Sequence, residues 1–156
     1  MVSADKELVS DVVTCVTPAL LPRLEEFKEF LYSLGVRHWR LFTIFPVGRA
    51  ATDPSLQLND EEFTFVMQFI ERCRKEGRVM ASYGCEGFLG GYEMRARQNP
   101  FECHAGVGVA SIRVNGDISG CTSVRANFTQ GNIYKDNFWD VWQNRFEKFR
   151  NRAWAK

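Results

Sequence analysis

The chain has 156 residues, enough for one ordinary domain or a domain with a small appendage. At 45% hydrophobic and 25% charged it is composed like a soluble globular protein, and 20 basic against 19 acidic side chains leave a net charge of +1. That balance excludes a global pull toward nucleic acid or an anionic membrane surface.

No apolar run is long enough to span a bilayer. The first residues, MVSADKELVSDVV, lack the basic start and apolar core of a signal peptide. The expected location is cytoplasmic.

Val12 to Val16 is a short apolar run rich in β-branched residues, which predicts a strand buried on both faces, as in a parallel sheet. Thr17-Pro18 is a helix start, with Pro near the first helical position. Leu21, Leu24, Phe27, Leu31 and Leu34 then recur at helical spacing, Glu25, Glu26, Lys28 and Glu29 fill the opposite face, and Gly35 is the stop. Val36 to Phe45 is the next strand, ended by Pro46. Asn59 and Glu62 form a capping box for a second helix with Phe63, Val66, Met67, Ile70 and Cys73 on one face. Arg72, Arg74 and Lys75 crowd its last turn, Gly77 ends it, and Arg78 to Ser82 is a third strand.

The β-α-β-α-β order implies a parallel sheet with right-handed crossovers. Three strands are too few for a closed barrel, so residues 1–82 read as part of a (β/α) barrel or a small open sheet. Chemistry in such sheets collects at the C-terminal strand ends, which places Thr17 and Pro46-Val47-Gly48-Arg49-Ala50 at the active edge. Arg49 there is either a surface residue or a bidentate grip on a carboxylate or phosphate.

Residues 83–156 form the second region. Tyr83 to Pro100 is rich in glycine and charge and reads as an irregular linker containing Cys85. Two runs with strand character follow, Val107 to Val114 and Asp117 to Cys121, joined by Asn115-Gly116. Asn-Gly between such runs predicts a type I′ hairpin pairing Val114 with Asp117, Ile112 with Ser119 and Ala110 with Cys121. Cys121 then lies at the open end, with Cys103 just upstream and Gly106 and Gly108 available for a bend. Gln130 to Ile133 reads as a turn. Asp136 or Asn137 caps a third helix, with Phe138, Val141, Trp142, Phe146 and Phe149 on its buried stripe.

Five cysteines, an odd count, argue against a disulfide framework in a cytosolic chain. Cys15 and Cys73 sit on apolar elements and read as core thiols. Cys85, Cys103 and Cys121 lie in irregular structure or at a hairpin end, where metal ligands converge, although no C-x-x-C pair is present. Three soft donors suit iron-sulfur or zinc. His104 is either a solvent-facing loop residue or the fourth ligand of a Cys3His zinc site. His38 reads as a packed or surface histidine.

The run from Cys103 to Cys121 has the form C-x12-G-x4-C, with Gly116 as its glycine. It resembles the first half of the SPASM or Twitch extension of radical S-adenosylmethionine enzymes, and the flanking CHAG, NGDISGC and QGNIYKDNFWDVW look like that family too. DVVTCVTP and WRLFTIFPVGRA are similar to the late strands of its partial (β/α)6 barrel. The resemblance implies an auxiliary [4Fe-4S] cluster held by Cys85, Cys103 and Cys121, and an Arg49 on the side of S-adenosylmethionine or substrate. The parent's substrate would be a peptide, a protein or a small molecule.

The family's C-x3-C-x2-C is absent, as is the second cysteine group that follows the last helix. The resemblance therefore implies a fragment of an Fe-S oxidoreductase or modifying enzyme. Such a fragment is inert alone, and its exposed barrel edge invites dimerisation. A zinc-stabilised binding module using Cys85, Cys103, His104 and Cys121 is the alternative, and a plain α/β protein with core cysteines is a third.

Overall fold

The computed structural model of the protein describes residues 11–84, 87–123, 127–151 and 153. The chain divides into two compact units, 1–101 and 102–156. The fold is mixed α/β with two small sheets.

In the first unit, β1 (Val12–Cys15), β2 (His38–Phe42) and β3 (Met80–Tyr83) form a parallel sheet in the order 1-2-3. Val12 pairs with Trp39 and Thr14 with Leu41; Trp39 in turn pairs with Ala81 and Leu41 with Tyr83. The first crossover begins as a 3-10 helix, Pro18–Arg23, and becomes α1 (Leu24–Ser33) only afterwards. Pro22 explains the delay, because it lacks an N–H and crowds the preceding turn. Gly35 at φ +81 ends α1 as expected. Its N–H donates to Tyr32 O at 3.0 Å, and the Val36 N–H donates to Leu31 O at 3.0 Å, a Schellman motif sealed by two buried side chains. The second crossover is α2 (Asp60–Glu76), which carries the expected Asn59–Glu62 capping box and Gly77 at φ +71.

Both helices pack on one face of the sheet. Leu24 and Leu31 of α1 and Val66, Met67, Phe69, Ile70 and Cys73 of α2 share one core with Trp39, Leu41, Ala81 and Tyr83. The Trp39 Nε1–H donates to Thr14 Oγ1 at 2.9 Å, so its polar edge is satisfied inside that core. The other face is open, and here the sequence expectation is corrected. Val13 is 53% exposed and Cys15 is exposed, so β1 is covered on one side only and Cys15 is no core thiol.

Lys28 is also corrected. It is buried, its stem covered and its Nζ shared between Glu25 and Glu76 Oε2, the latter at 2.7 Å. Burial lowers its pKa, but the bonds to Glu25 and Glu76 outweigh that and raise it.

The stretch expected as an irregular linker carries regular structure at 90–96. Gly90–Tyr92 forms a 3-10 turn that leads into α3 (Glu93–Ala96), and Glu93, Ala96 and Arg97 are buried. The first unit runs to Phe101.

In the second unit, β4 (Ser111–Ile112) and β5 (Asp117–Ser119) form the expected hairpin in a different register: Ser111 faces Ser119 and Ile112 faces Ile118. The loop has three residues. The Gly116 N–H donates to Arg113 O and the Arg113 N–H to Asp117 O, both at 2.8 Å. Gly116 alone takes the left-handed region, at φ +83, and no described non-glycine residue has positive φ. A type I′ turn needs positive φ at Asn115 as well, so the chain uses a turn closed by a left-handed glycine instead. The one-residue shift places Ile118, not Ser119, on the face of Ile112.

The segment expected as a turn supplies a third strand, β6 (Gly131–Asn132), paired with Ile118 and Asp117. The single helix expected near the C-terminus is two: α4 (Phe138–Asn144), capped by Asn137, and α5 (Glu147–Arg150). Arg145 and Phe146 leave helical geometry between them, and that break lets Phe146 enter the core with Ile118 and Val141.

Two outcomes test this packing. Leu41→Ala, in the covered face, is expected to lower unfolding free energy by about 2–5 kcal/mol in a urea titration. Val13→Ala, on the open face, should stay within about 0.5 kcal/mol of wild type. In the second unit, a Cβ at Gly116 would lie 2.6 Å from the Tyr134 ring. Together with its positive φ, this means Gly116→Ala should cost more than about 1 kcal/mol.

Candidate metal centre

Two of the three expected thiols are described, and both belong to the second unit. Cys103 is exposed and precedes a tight loop. The His104 carbonyl of that loop accepts N–H groups from Val107, Gly108 and Val109 at 3.0–3.1 Å. Cys121 is half-buried, and its Sγ accepts the Ser123 N–H at 3.5 Å.

The segments bearing these thiols meet. The Gly106 N–H donates to Val109 O at 2.7 Å and reaches Gly120 O at 3.4 Å. Gly106 follows Cys103 by three residues and Gly120 immediately precedes Cys121. Both glycines lie against Phe149: a Cβ at Gly106 would sit 2.3 Å from that side chain and one at Gly120 would sit 2.5 Å from its ring. Arg150, stacked 4.6 Å from the Trp142 ring centre, donates from Nε to Gly106 O at 3.1 Å.

Cys85 lies outside the described residues. Its flanks do not. The Gly84 N–H donates to Leu41 O at 2.7 Å, and the Gly84 carbonyl accepts Arg97 Nη2 at 2.7 Å. A Cβ at Gly84 would fall 2.3 Å from the Phe42 ring, so this close approach requires glycine. On the far side, the Leu89 N–H donates to Glu93 Oε2 at 2.8 Å.

Glu93 and Arg97 form a buried pair at 2.9 Å, and the same carboxylate accepts the Phe101 N–H. Burial pushes the Glu93 carboxyl up, but the Leu89 N–H, Arg97 and the Phe101 N–H outweigh it and hold the pKa below its ordinary 4.5. Sequence reading missed this pair, although its i,i+4 spacing on α3 was a usable signal.

Arg49 sits exposed in a 3-10 helix, Gly48–Thr52, beyond β2. It does not line the cavity of about 520 Å³ at the C-terminal ends of β2 and β3, whose walls include Thr43, Pro46, Gln57, Phe63, Tyr83 and Leu89. His104 is exposed, with Nε2 3.9 Å from Glu102 Oε2. His38 is exposed on β2. Among the described residues no group of three His, Cys, Asp or Glu is placed to hold a metal ion.

The donors that are described fit a sulfur-bound metal. Cys103 and Cys121 carry soft sulfur donors on segments joined by a backbone contact, and one sulfur already accepts an N–H. Cys73 does not fit, because burial pushes its thiol up to about 12.

Residues 103–156 match the SPASM family, described as an iron-sulfur cluster-binding domain, and the match begins at Cys103. No curated protein and no solved structure matches the chain. Among the described residues no helix is long and apolar enough to cross a membrane.

The depressed Glu93 carboxyl stabilises the first unit fully above the ordinary carboxylate pKa, and that stability is lost as pH falls through the folded value. Glu93→Gln should therefore melt below wild type at neutral pH. Thermal melts across the acid range should show the gap closing as wild-type Glu93 protonates.

Proposed function

We propose that this chain is part of a radical S-adenosylmethionine enzyme and that its second unit holds an auxiliary [4Fe-4S] cluster. The SPASM match over residues 103–156, which starts at Cys103, carries the reading, and the backbone bond between Gly106 and Gly120 supports it. Cys103 and Cys121 are the ligands, with Cys85 the third thiolate on the sequence resemblance. The cluster supplies electron relay or a binding point for substrate.

The protein residues do the positioning. Phe149 and Arg150 fix the loop after Cys103 against the segment before Cys121, and the Ser123 N–H reduces charge on the Cys121 sulfur. Glu93 and Arg97 anchor the backbone on either side of Cys85.

The first unit supplies part of the barrel wall. Support comes from its strand order: right-handed crossovers in the sequence 1-2-3 put every helix on one face, as in a barrel, whereas a doubly wound sheet reverses direction and covers both. The open face is then the barrel interior, and the cavity at the strand ends lies on the substrate side, with Arg49 assigned to the cofactor or substrate side by the sequence resemblance alone. The sequence has no C-x3-C-x2-C, so the chain alone does not cleave S-adenosylmethionine. Its substrate in the parent is a peptide, a protein or a small molecule. Among the described residues the outer strands of the first sheet, β1 and β3, each pair with β2 alone, and such an edge is the route by which a second copy would dimerise.

Anaerobic reconstitution with iron and sulfide tests the reading. The expected product is a brown protein whose iron and acid-labile sulfide are lost with Cys121→Ala and with Cys103→Ala, while Cys73→Ala retains both. A colourless chain that instead holds about one zinc, released by Cys121→Ala, would establish the zinc module.

A further inference from the structure

A second cavity of the first unit, of about 380 Å³, runs along β3 and reaches the starts of β2 and β3. His38 and Met80 are the first residues of those strands and pair with each other, and Arg40 pairs with Ser82. Trp39 and Ala81 lie in the core, so these four residues belong to the open face. All four line the cavity. Its other wall comes from the last turn of α2 and the segment after α3, through Arg74, Gln98 and Asn99.

Arg74 holds this wall together. The Met80 and Gly84 N–H groups donate to Arg37 O and Leu41 O, so alternate residues of β3 bond β2 and Ala81 turns its carbonyl to the outer edge. Arg74 Nη1 donates to that carbonyl at 3.2 Å, and Nη2 donates to Arg97 O at 3.2 Å. The guanidinium is thereby fixed between β3 and the segment that runs on to Gln98 and Asn99.

The charges around the cavity do not balance. Arg97 is paired with Glu93, and Arg40 donates from Nε to Asp11 Oδ2 at 2.7 Å. Arg74 has no acidic partner among the described residues. It is half-buried, and carbonyls take two of the five N–H groups that a guanidinium carries. A half-buried cation without a counter-charge, in a cleft with walls of low dielectric, concentrates anions. His38, Gln98 and Asn99 bring further N–H donors to the same cavity.

We propose that this cavity binds a small oxyanion, the chemistry shared by phosphates and carboxylates, with Arg74 as its principal donor. A guanidinium presents parallel N–H groups to two oxygens of either. Asp11 opposes the site, because its carboxylate occupies Arg40 and repels an entering anion. No cysteine takes part, so the inference stands apart from the cluster reading.

The metal-free full chain is titrated with inorganic phosphate and, separately, with acetate, at an ionic strength held constant with chloride. Amide shifts are followed by heteronuclear NMR. Saturable shifts at His38, Ser82, Gln98 and Asn99 are expected. Whichever anion saturates identifies the group, and saturation by both means that the cavity reads the oxyanion alone. Arg74→Gln should weaken binding about tenfold. Asp11→Asn, which leaves both carbonyl bonds of Arg74 in place, should tighten it about threefold. Shifts that stay linear with both anions overturn the proposal. So does an affinity that Asp11→Asn leaves unchanged, because a purely structural Arg74 would give that result. Where Arg74→Gln fails to fold, the Asp11→Asn titration decides alone.

Discussion

The second unit depends on one contact: Phe149 packed against two glycines from separate segments. At Gly106 and Gly120 a methyl group would overlap the Phe149 side chain. The absence of side chains at both positions therefore sets how close the loops come to the helix and to each other. Gly120 O lies 3.4 Å from Gly106 N, and Arg150 adds a bond to Gly106 from the residue next to the phenylalanine. A small core of Ile118, Val141 and Phe146 could not by itself fix two irregular segments. The aromatic clamp does so between the loop after Cys103 and the residue before Cys121.

The first unit solves a related problem with charge. Glu93 and Arg97 are both buried, and neither is left with an uncompensated charge, because each also bonds backbone on the flanks of residues 85–86. Their value lies in directing backbone as much as in mutual attraction. The sheet they adjoin is covered on one face by the two crossover helices.

Much of this fold was legible in the sequence. Asn59 with Glu62, Gly35 and Gly77 fixed helix ends through local hydrogen bonding that neighbours did not override. The parallel order followed from the alternation of elements. What escaped was set by tertiary contacts. Asn115-Gly116 signals a hairpin, but whether the loop holds two or three residues depends on which side of β5 faces the helices, and Ile118 decides that. Gly131-Asn132 became a strand because β5 had a free edge beside it. The helix pattern across Phe138 to Phe149 was continuous in spacing yet broken in space, since Phe146 reaches the core only after a kink. Of the site, the spacing around Cys103 and Cys121 was readable. The supporting residue Arg150 was not, because it acts through a contact with Gly106 distant in sequence, whereas Glu93 and Arg97 left a signal in their i,i+4 spacing.

Cys73, buried beside Lys28 and with its proton held to about pH 12, has a further consequence. Thiolates, not thiols, capture iron and attack disulfides. During loading of a metal, this sulfur neither competes for the incoming ion nor forms mixed disulfides with small thiols. The protein thus carries a silent cysteine in its core, and selectivity among its sulfurs is decided by burial before any ligand geometry comes into play.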